Sequence, residues 1–189
     1  DGTMDTNGKT VTSAAVSLSE AGTKSLILGA TVWNCTAWTY DGSNFTLTPN
    51  TSTIKVTGTG VFAGGGLTYN DVELNGTAHT ISGGNTGNQL TFKDATTQTI
   101  TFTDGTTQTF ATYVITGESG KVKTLTGTST GGWTITKTGG GHIDADYLVI
   151  DYSTATPTST WYAGKNSTNG GNNSGWFFHN RLKRGWMSK

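Results

Sequence analysis

Two pairs of carboxylates are spaced for acid–base chemistry: Asp71 and Glu73 in TYNDVELNG, and Asp144 and Asp146 in GGGHIDADY, the latter beside His142. Residues two apart on a strand project from one face, with Cα atoms about 6.6 Å apart. Glycoside hydrolases hold two carboxyl groups roughly 5 to 9.5 Å apart across the scissile bond, one as acid and the other as nucleophile or base. Asp71 and Glu73 meet that spacing, with Val72 and Leu74 turned the other way. Any D-x-E on a strand meets it too, and a solvated strand face is the plainer reading. For Asp144 and Asp146 the alternatives are a metal or acid–base site, or a polar corner where a loop enters a strand. No catalytic residue is assigned; Asp71 and Glu73 are the pair to examine.

Other chemistries lack their residues. His79, His142 and His179 are scattered, with no HExxH spacing or His/Cys cluster for zinc. There is no GxSxG elbow and no phosphate loop. The glycines at 64–66 and 139–141 precede no helix whose N-terminus could bind phosphate. No cofactor is expected. The single cysteine, Cys35, excludes an internal disulfide and reads as a small core residue. A formal net charge of zero argues against nucleic acid as a partner of the whole domain. No apolar run approaches the roughly 18 residues of a membrane span. No leader is recognisable, and a start at Asp1 rather than Met reads as a processed or trimmed chain.

Aromatic residues gather near both ends: Trp33, Trp38 and Tyr40, then Trp161, Tyr162, Trp176, Phe177 and Phe178. Exposed, they would be platforms for sugar rings or anchors for protein partners; buried, they would plug the ends of the fold. Tyr147, Val149 and Tyr152 make DYLVIDY partly apolar on both faces, which points to cover by another chain and marks them as oligomer contacts. A trimer is the favoured arrangement. The last residues, HNRLKRGWMSK, concentrate positive charge. There Arg181, Lys183, Arg184 and Trp186 are the candidates for attachment to a partner, against the reading of a frayed, solvated terminus.

The elements that must position these residues are short strands. The 189 residues are only 32% hydrophobic and 13% charged; Gly contributes 28 and Thr is still more frequent. β-branched Thr favours strands, and Gly supplies the positive φ of tight corners. Apolar residues recur two apart: Val72 and Leu74, Leu90 and Phe92, Ile100 and Phe102, Leu148 and Ile150. They also recur about 20 residues apart. One series runs Leu74, Phe92, Val114; another Ile81, Ile100, Leu125; Phe110 and Ile135 suggest a third. That pattern predicts an all-β, right-handed, single-stranded parallel β-helix, each coil burying an inward row against the next. Asn75-Gly76, Asp104-Gly105 and Asp41-Gly42 would also suit hairpins, so the alternative is a two-sheet β-sandwich. Residues 1–24 read as an edge strand or cap, with a short helix over 13–20 as the second reading; 25–160 form the body.

The closing segment carries a resemblance. Trp161-Tyr162-Ala163-Gly164, then Asn166-Ser167, Gly170-Gly171-Asn172 and Gly175-Trp176, within DYLVIDYSTATPTSTWYAGKNSTNGGNNSGW, are similar to the tail of Thr/Gly-rich right-handed parallel β-helix proteins of phage and environmental origin. Looser Thr/Gly coils extend the likeness back to about Leu67. The resemblance implies that 161–178 cap the last coil, before a basic arm at 179–189. It implies a virion-associated or surface structural protein: a capsid-decoration, fibre or spike component on the virion surface. It supplies no catalytic motif. The alternatives are a glycan-binding or glycan-cleaving tailspike-like module using Asp71 and Glu73, and an extracellular or cell-surface adhesin fragment.

Overall fold

The structure is a computed structural model that describes residues 1–18, 22–40, 42, 44–93 and 96–182. Every regular element among them is a strand. The first coil holds β1 (Gly2–Asp5), β2 (Val11–Thr12) and β3 (Val16–Ser17). The second holds β4 (Lys24–Ile27), β5 (Val32–Cys35) and β6 (Trp38–Thr39), the third β7 (Phe45–Thr48), β8 (Thr53–Thr57) and β9 (Gly60–Ala63). The fourth is built on β10 (Asp71–Asn75) and β11 (Ala78–Ser82), the fifth on β12 (Thr86–Phe92) and β13 (Gln98–Phe102). The sixth has β14 (Thr107–Val114) and β15 (Lys123–Gly127), the seventh β16 (Trp133–Lys137), β17 (Ile143–Asp144) and β18 (Leu148–Asp151). The eighth has β19 (Ser153–Thr156), β20 (Trp161–Tyr162) and β21 (Thr168–Gly171), and β22 (Trp176–Phe177) follows it.

Each strand pairs with its counterparts in the coils before and after, always in parallel. Two eight-stranded sheets run the length of the column, β2-β5-β8-β10-β12-β14-β16-β19 and β3-β6-β9-β11-β13-β15-β18-β21. Three-stranded sheets complete it, β1-β4-β7 and β17-β20-β22. This is a parallel β-helix of about eight coils, and the sandwich is excluded because its neighbouring strands would be antiparallel. β12 and β14 run round a corner. Thr86 and Gly87 pair with Thr109 and Phe110, and Gln89 to Thr91 with Thr112 to Val114. The late part of β12 thus faces β10, and the early part of β14 faces β16. Residues 1–18 supply the edge strand of three sheets, with no helix among them.

Side chains stack in columns. Ile54, Val72, Leu90 and Tyr113 form one, and Val56, Leu74 and Phe92 another. Trp38, Phe62, Ile81 and Phe102 stack on the opposite wall, beside Ile100, Leu125 and Ile150. All are buried. Each such side chain contributes about 1.5–3 kcal/mol on leaving water. Outward positions carry Thr. Thr107, Thr134 and Thr154 lie in one row, and Thr86, Thr109, Thr136 and Thr156 in the next. The hydroxyls of Thr136 and Thr156 are 2.7 Å apart, a hydrogen bond between the last two members of that row.

The apolar repeats need correcting by one or two residues. Val114 points outward, 46% exposed, and Tyr113 takes the inward place beside Leu90. Ile81 stacks on Phe102, while His79 lies beside Ile100. Phe110 faces Lys137 and Ile135 faces Gln108. A fixed period fails for two reasons. Coils differ in corner length, and some inward places are polar: His79, Gln98, Gln108, Lys123 and Lys137 are all buried. Gln98, Gln108 and Lys137 bond backbone carbonyls. Gln98 Nε2 donates to Leu74 O (3.0 Å), Gln108 Nε2 to Gly83 O (2.8 Å), and Lys137 Nζ to the carbonyls of Ala111, Gly139 and Gly140.

Two predictions arise here. Cys35 is buried, and burial pushes its thiol up to about 11. Only the thiolate attacks disulfide reagents. At pH 8 the native chain should therefore release almost no chromophore from an aromatic disulfide reagent, and about one equivalent once unfolded in guanidinium. Rapid native labelling would place Cys35 outside the core. Asp104 accepts from the Ser129 hydroxyl, from Ser129 N (3.2 Å) and from Gly131 N (3.0 Å), tying the corner after β13 to the loop after β15. These bonds, the Ser129 hydroxyl first, hold its carboxyl below the usual carboxylate range. A depressed folded pKa gives stability that is present above the unfolded pKa and lost as pH falls through the folded one. The gap in melting temperature between the parent and Asp104→Ala should be widest at neutral pH and close below about pH 4. A gap that stayed constant down to pH 2 would show that the charge does not matter.

Candidate functional site

Asp71 and Glu73 project from the outer face of β10, as their spacing predicts, but each is engaged by neighbours. Glu73 lies between Lys55 on β8 and Lys93, at 3.3 and 3.9 Å, and accepts from Asn75 Nδ2 at 2.9 Å. Asp71 accepts from Asn88 Nδ2 at 2.8 Å. The ion pairs follow the register, which sets Glu73 directly beside Lys55. Partly exposed pairs near a surface contribute on the order of 1 kcal/mol or less each, but they hold the carboxylates in place.

The second carboxylate pair sits in a more developed setting. β17, β20 and β22 stack in register, so Ile143, Trp161 and Trp176 form a buried inner column. The alternation of a strand then puts Asp144, Tyr162 and Phe177 in a row outside. The Tyr162 and Phe177 rings stack, with centroids 5.1 Å apart and an interplanar angle of 24°. His142 and His179 meet the Tyr162 ring edge-on, at 5.7 and 5.8 Å. The chain then returns along this row. Arg181 grips Asp144 with Nε to Oδ1 and Nη2 to Oδ2, both 3.0 Å. That bond holds the guanidinium even more firmly protonated than usual.

Asp146 braces the corner beside it. Its Oδ1 accepts from the backbone N–H of Asn166 (2.9 Å) and of Tyr147 (3.0 Å), and its Oδ2 from Asn166 Nδ2 (2.7 Å). Thr116 Oγ1, one coil away, accepts from Asp146 N at 3.0 Å, and Asn180 Oδ1 accepts from Lys165 N at 3.1 Å. Between these groups lies a groove of about 350 Å³, lined by Thr116, Asp144, Asp146, Tyr162, Asn180 and Arg181. It offers hydrogen-bond donors, an aromatic ring and braced carboxylates. Among the described residues no group of three His, Cys, Asp or Glu side chains is placed to hold a metal ion.

The groove joins residues that sequence reasoning kept apart: the Asp144/Asp146 pair, Tyr162 of the closing segment and Arg181 of the basic arm. Thr116 and Asn180 were missed, because nothing local to either marks it. Lys183, Arg184 and Trp186 lie outside the described residues. The tryptophans are core rather than platforms: Trp38 and Trp161 are fully buried, their ring N–H groups donating to Tyr69 Oη (3.1 Å) and Thr156 O (2.9 Å). Val149 points outward on β18 between Thr124 and Thr168. Tyr147 and Tyr152 stand at the two corners bounding that strand, half-buried, with φ of 55° and 51°. No helix among the described residues is long and apolar enough to cross a membrane. Compared with known proteins, the chain matches no family model, no curated protein and no solved structure.

Proposed function

We propose that this chain is a non-enzymatic β-helical structural protein exposed on the surface of a particle: a phage capsid-decoration, fibre or spike component acting as a homo-oligomer. The observation that carries the reading is the engagement of all four nominated carboxylates. Glu73 is held by Lys55 and Lys93, Asp71 by Asn88, Asp144 by Arg181 and Asp146 by Asn166. Each bonds a neighbour, and these contacts tie the coils together. Around them, backbone pairing between coils ties the described strands into one column, which resists local opening by proteases. The likeness of residues 161–176 to the closing tail of phage β-helix proteins supports the particle setting. The outward Val149, with Tyr147 and Tyr152 at the corners beside it, supports contact between copies.

The test has three readouts. Gold-labelled antibody against the chain should decorate intact particles in electron micrographs. Light scattering after size exclusion should give a multiple of the chain mass. Incubation with bacterial polysaccharides should release no reducing ends. Hydrolysis abolished by Asp71→Asn would overturn the structural reading in favour of a glycan-cleaving module.

A further inference from the structure

We propose that the groove between Asp144, Tyr162 and Arg181 binds one residue of a neutral glycan. This goes beyond the structural role and does not depend on it. The cavity, about 350 Å³, is near the lower end for small-ligand sites, suited to a single ring. Tyr162 lines it and is fixed from behind by stacking on Phe177. An aromatic ring backed in this way is a rigid surface for the C–H face of a pyranose.

The polar groups match hydroxyls. Asp144 takes Nε and Nη2 of Arg181, while Nη1 has no bond to a described residue. The Asn180 carbonyl is engaged by Lys165 N, and its amide nitrogen donates to no described residue. Neither does the Tyr162 hydroxyl have a described partner. These groups present donors, while Asp146 Oδ2, holding only Asn166 Nδ2, keeps acceptor capacity. A diol both donates and accepts, and so answers all of them. The same groups are braced by neighbouring coils, so little is lost in ordering them when a ligand arrives. Charge favours a neutral ligand. Among the described lining residues two carboxylates stand against one guanidinium, a net negative balance that disfavours uronic acids, sialic acids and phosphate.

The experiment is amide chemical-shift mapping on the ¹⁵N-labelled chain. The probes are maltotriose, mannotriose and chitotriose, each at about 10 mM, where a ligand with millimolar Kd occupies most sites. Sialyllactose and inorganic phosphate are the anionic controls. At least one neutral trisaccharide should shift the amides of Ala145, Tyr162 and Arg181. Arg181→Gln should weaken that binding about tenfold, the order expected for one lost charge-assisted hydrogen bond. Tyr162→Ala should weaken it at least as much, and Asp71→Asn should leave it unchanged. Arg181→Gln leaves the ring stack in place, so its result stands even if Tyr162→Ala disturbs the fold. The proposal is overturned if no neutral probe shifts these amides, if the shifts map elsewhere, if an anionic control binds as well, or if Arg181→Gln binds like the parent chain.

Discussion

Phe102→Ala is expected to lower the melting temperature by about 10 °C, from a loss of about 3–5 kcal/mol at roughly 2–4 °C per kcal/mol for a chain of this length. Phe102 is fully buried in the inner column beside Ile81. Its ring lies flat on Trp133, centroids 3.8 Å apart and planes within 6°, and meets Phe92 edge-on at 6.4 Å. The next place in the column is Gly127, which has no side chain to fill a hole. Removing the ring therefore leaves a cavity between Ile81 and Trp133 that coils fixed by backbone pairing on both sides cannot close. Phe102→Leu should cost less than half as much, because most of the volume remains. Thr101→Ala, on the outer face of the same strand, should stay within about 0.5 kcal/mol. Thermal melts followed by circular dichroism decide it. If Phe102→Ala melted within about 2 °C of the parent, the column would not be packed as described.

The same column shows how far sequence alone could be read. β7, Phe45–Thr48, and β8, Thr53–Thr57, show what is local: each alternates, and Pro49 and the polar corner after it separate them. Alternation is local, and local rules survive. Register between coils is not local. It depends on how many residues each corner takes. The corner from Thr103 to Thr106 is short, whereas residues 115–122 fill the corner before β15. Buried polar residues compound the error: His79 and Lys137 occupy inward places that a search for apolar repeats passes over. The burial of Lys137 is tolerable because three carbonyls, those of Ala111, Gly139 and Gly140, accept from its ammonium group.

The groove was legible in pieces and not as a whole. Asp144 and Asp146 were visible because they are two apart. Arg181 reaches Asp144 across 37 positions and Thr116 reaches Asp146 across 30, separations at which no pattern in one sequence signals contact. The tryptophans left two readings open for a related reason. Indole is equally suited to a sugar platform and to a core with one polar partner, and only the register, which sets Trp161 between Ile143 and Trp176, chooses the core. Tyr162, one residue on, is turned outward by the same alternation. One strand thus divides its two aromatics between holding the column and lining its surface.

Gly76→Ala should be destabilising by about 3 kcal/mol or more, combining backbone strain with a steric clash. Gly76 has φ of 152°, and a Cβ there would lie 1.7 Å from the carbonyl oxygen of Gly58 in the preceding coil. Gly58 N donates to Asn75 O at 2.7 Å across the same corner, and Val56 beside Leu74 fixes the coil spacing on one flank. Admitting a methyl group means prising the third and fourth coils apart, which breaks that bond and loosens Asn75 from Thr57. Gly105 separates clash from strain. Its φ is 72°, but a Cβ there meets nothing within 4 Å. Gly105→Ala should therefore cost only about 1 kcal/mol, the penalty of a left-handed conformation alone. Melting both variants under one set of conditions tests the claim that backbone contact between coils makes glycine obligatory at position 76. Equal drops in the two variants would mean that the corner yields, and that conformational strain alone selects glycine there.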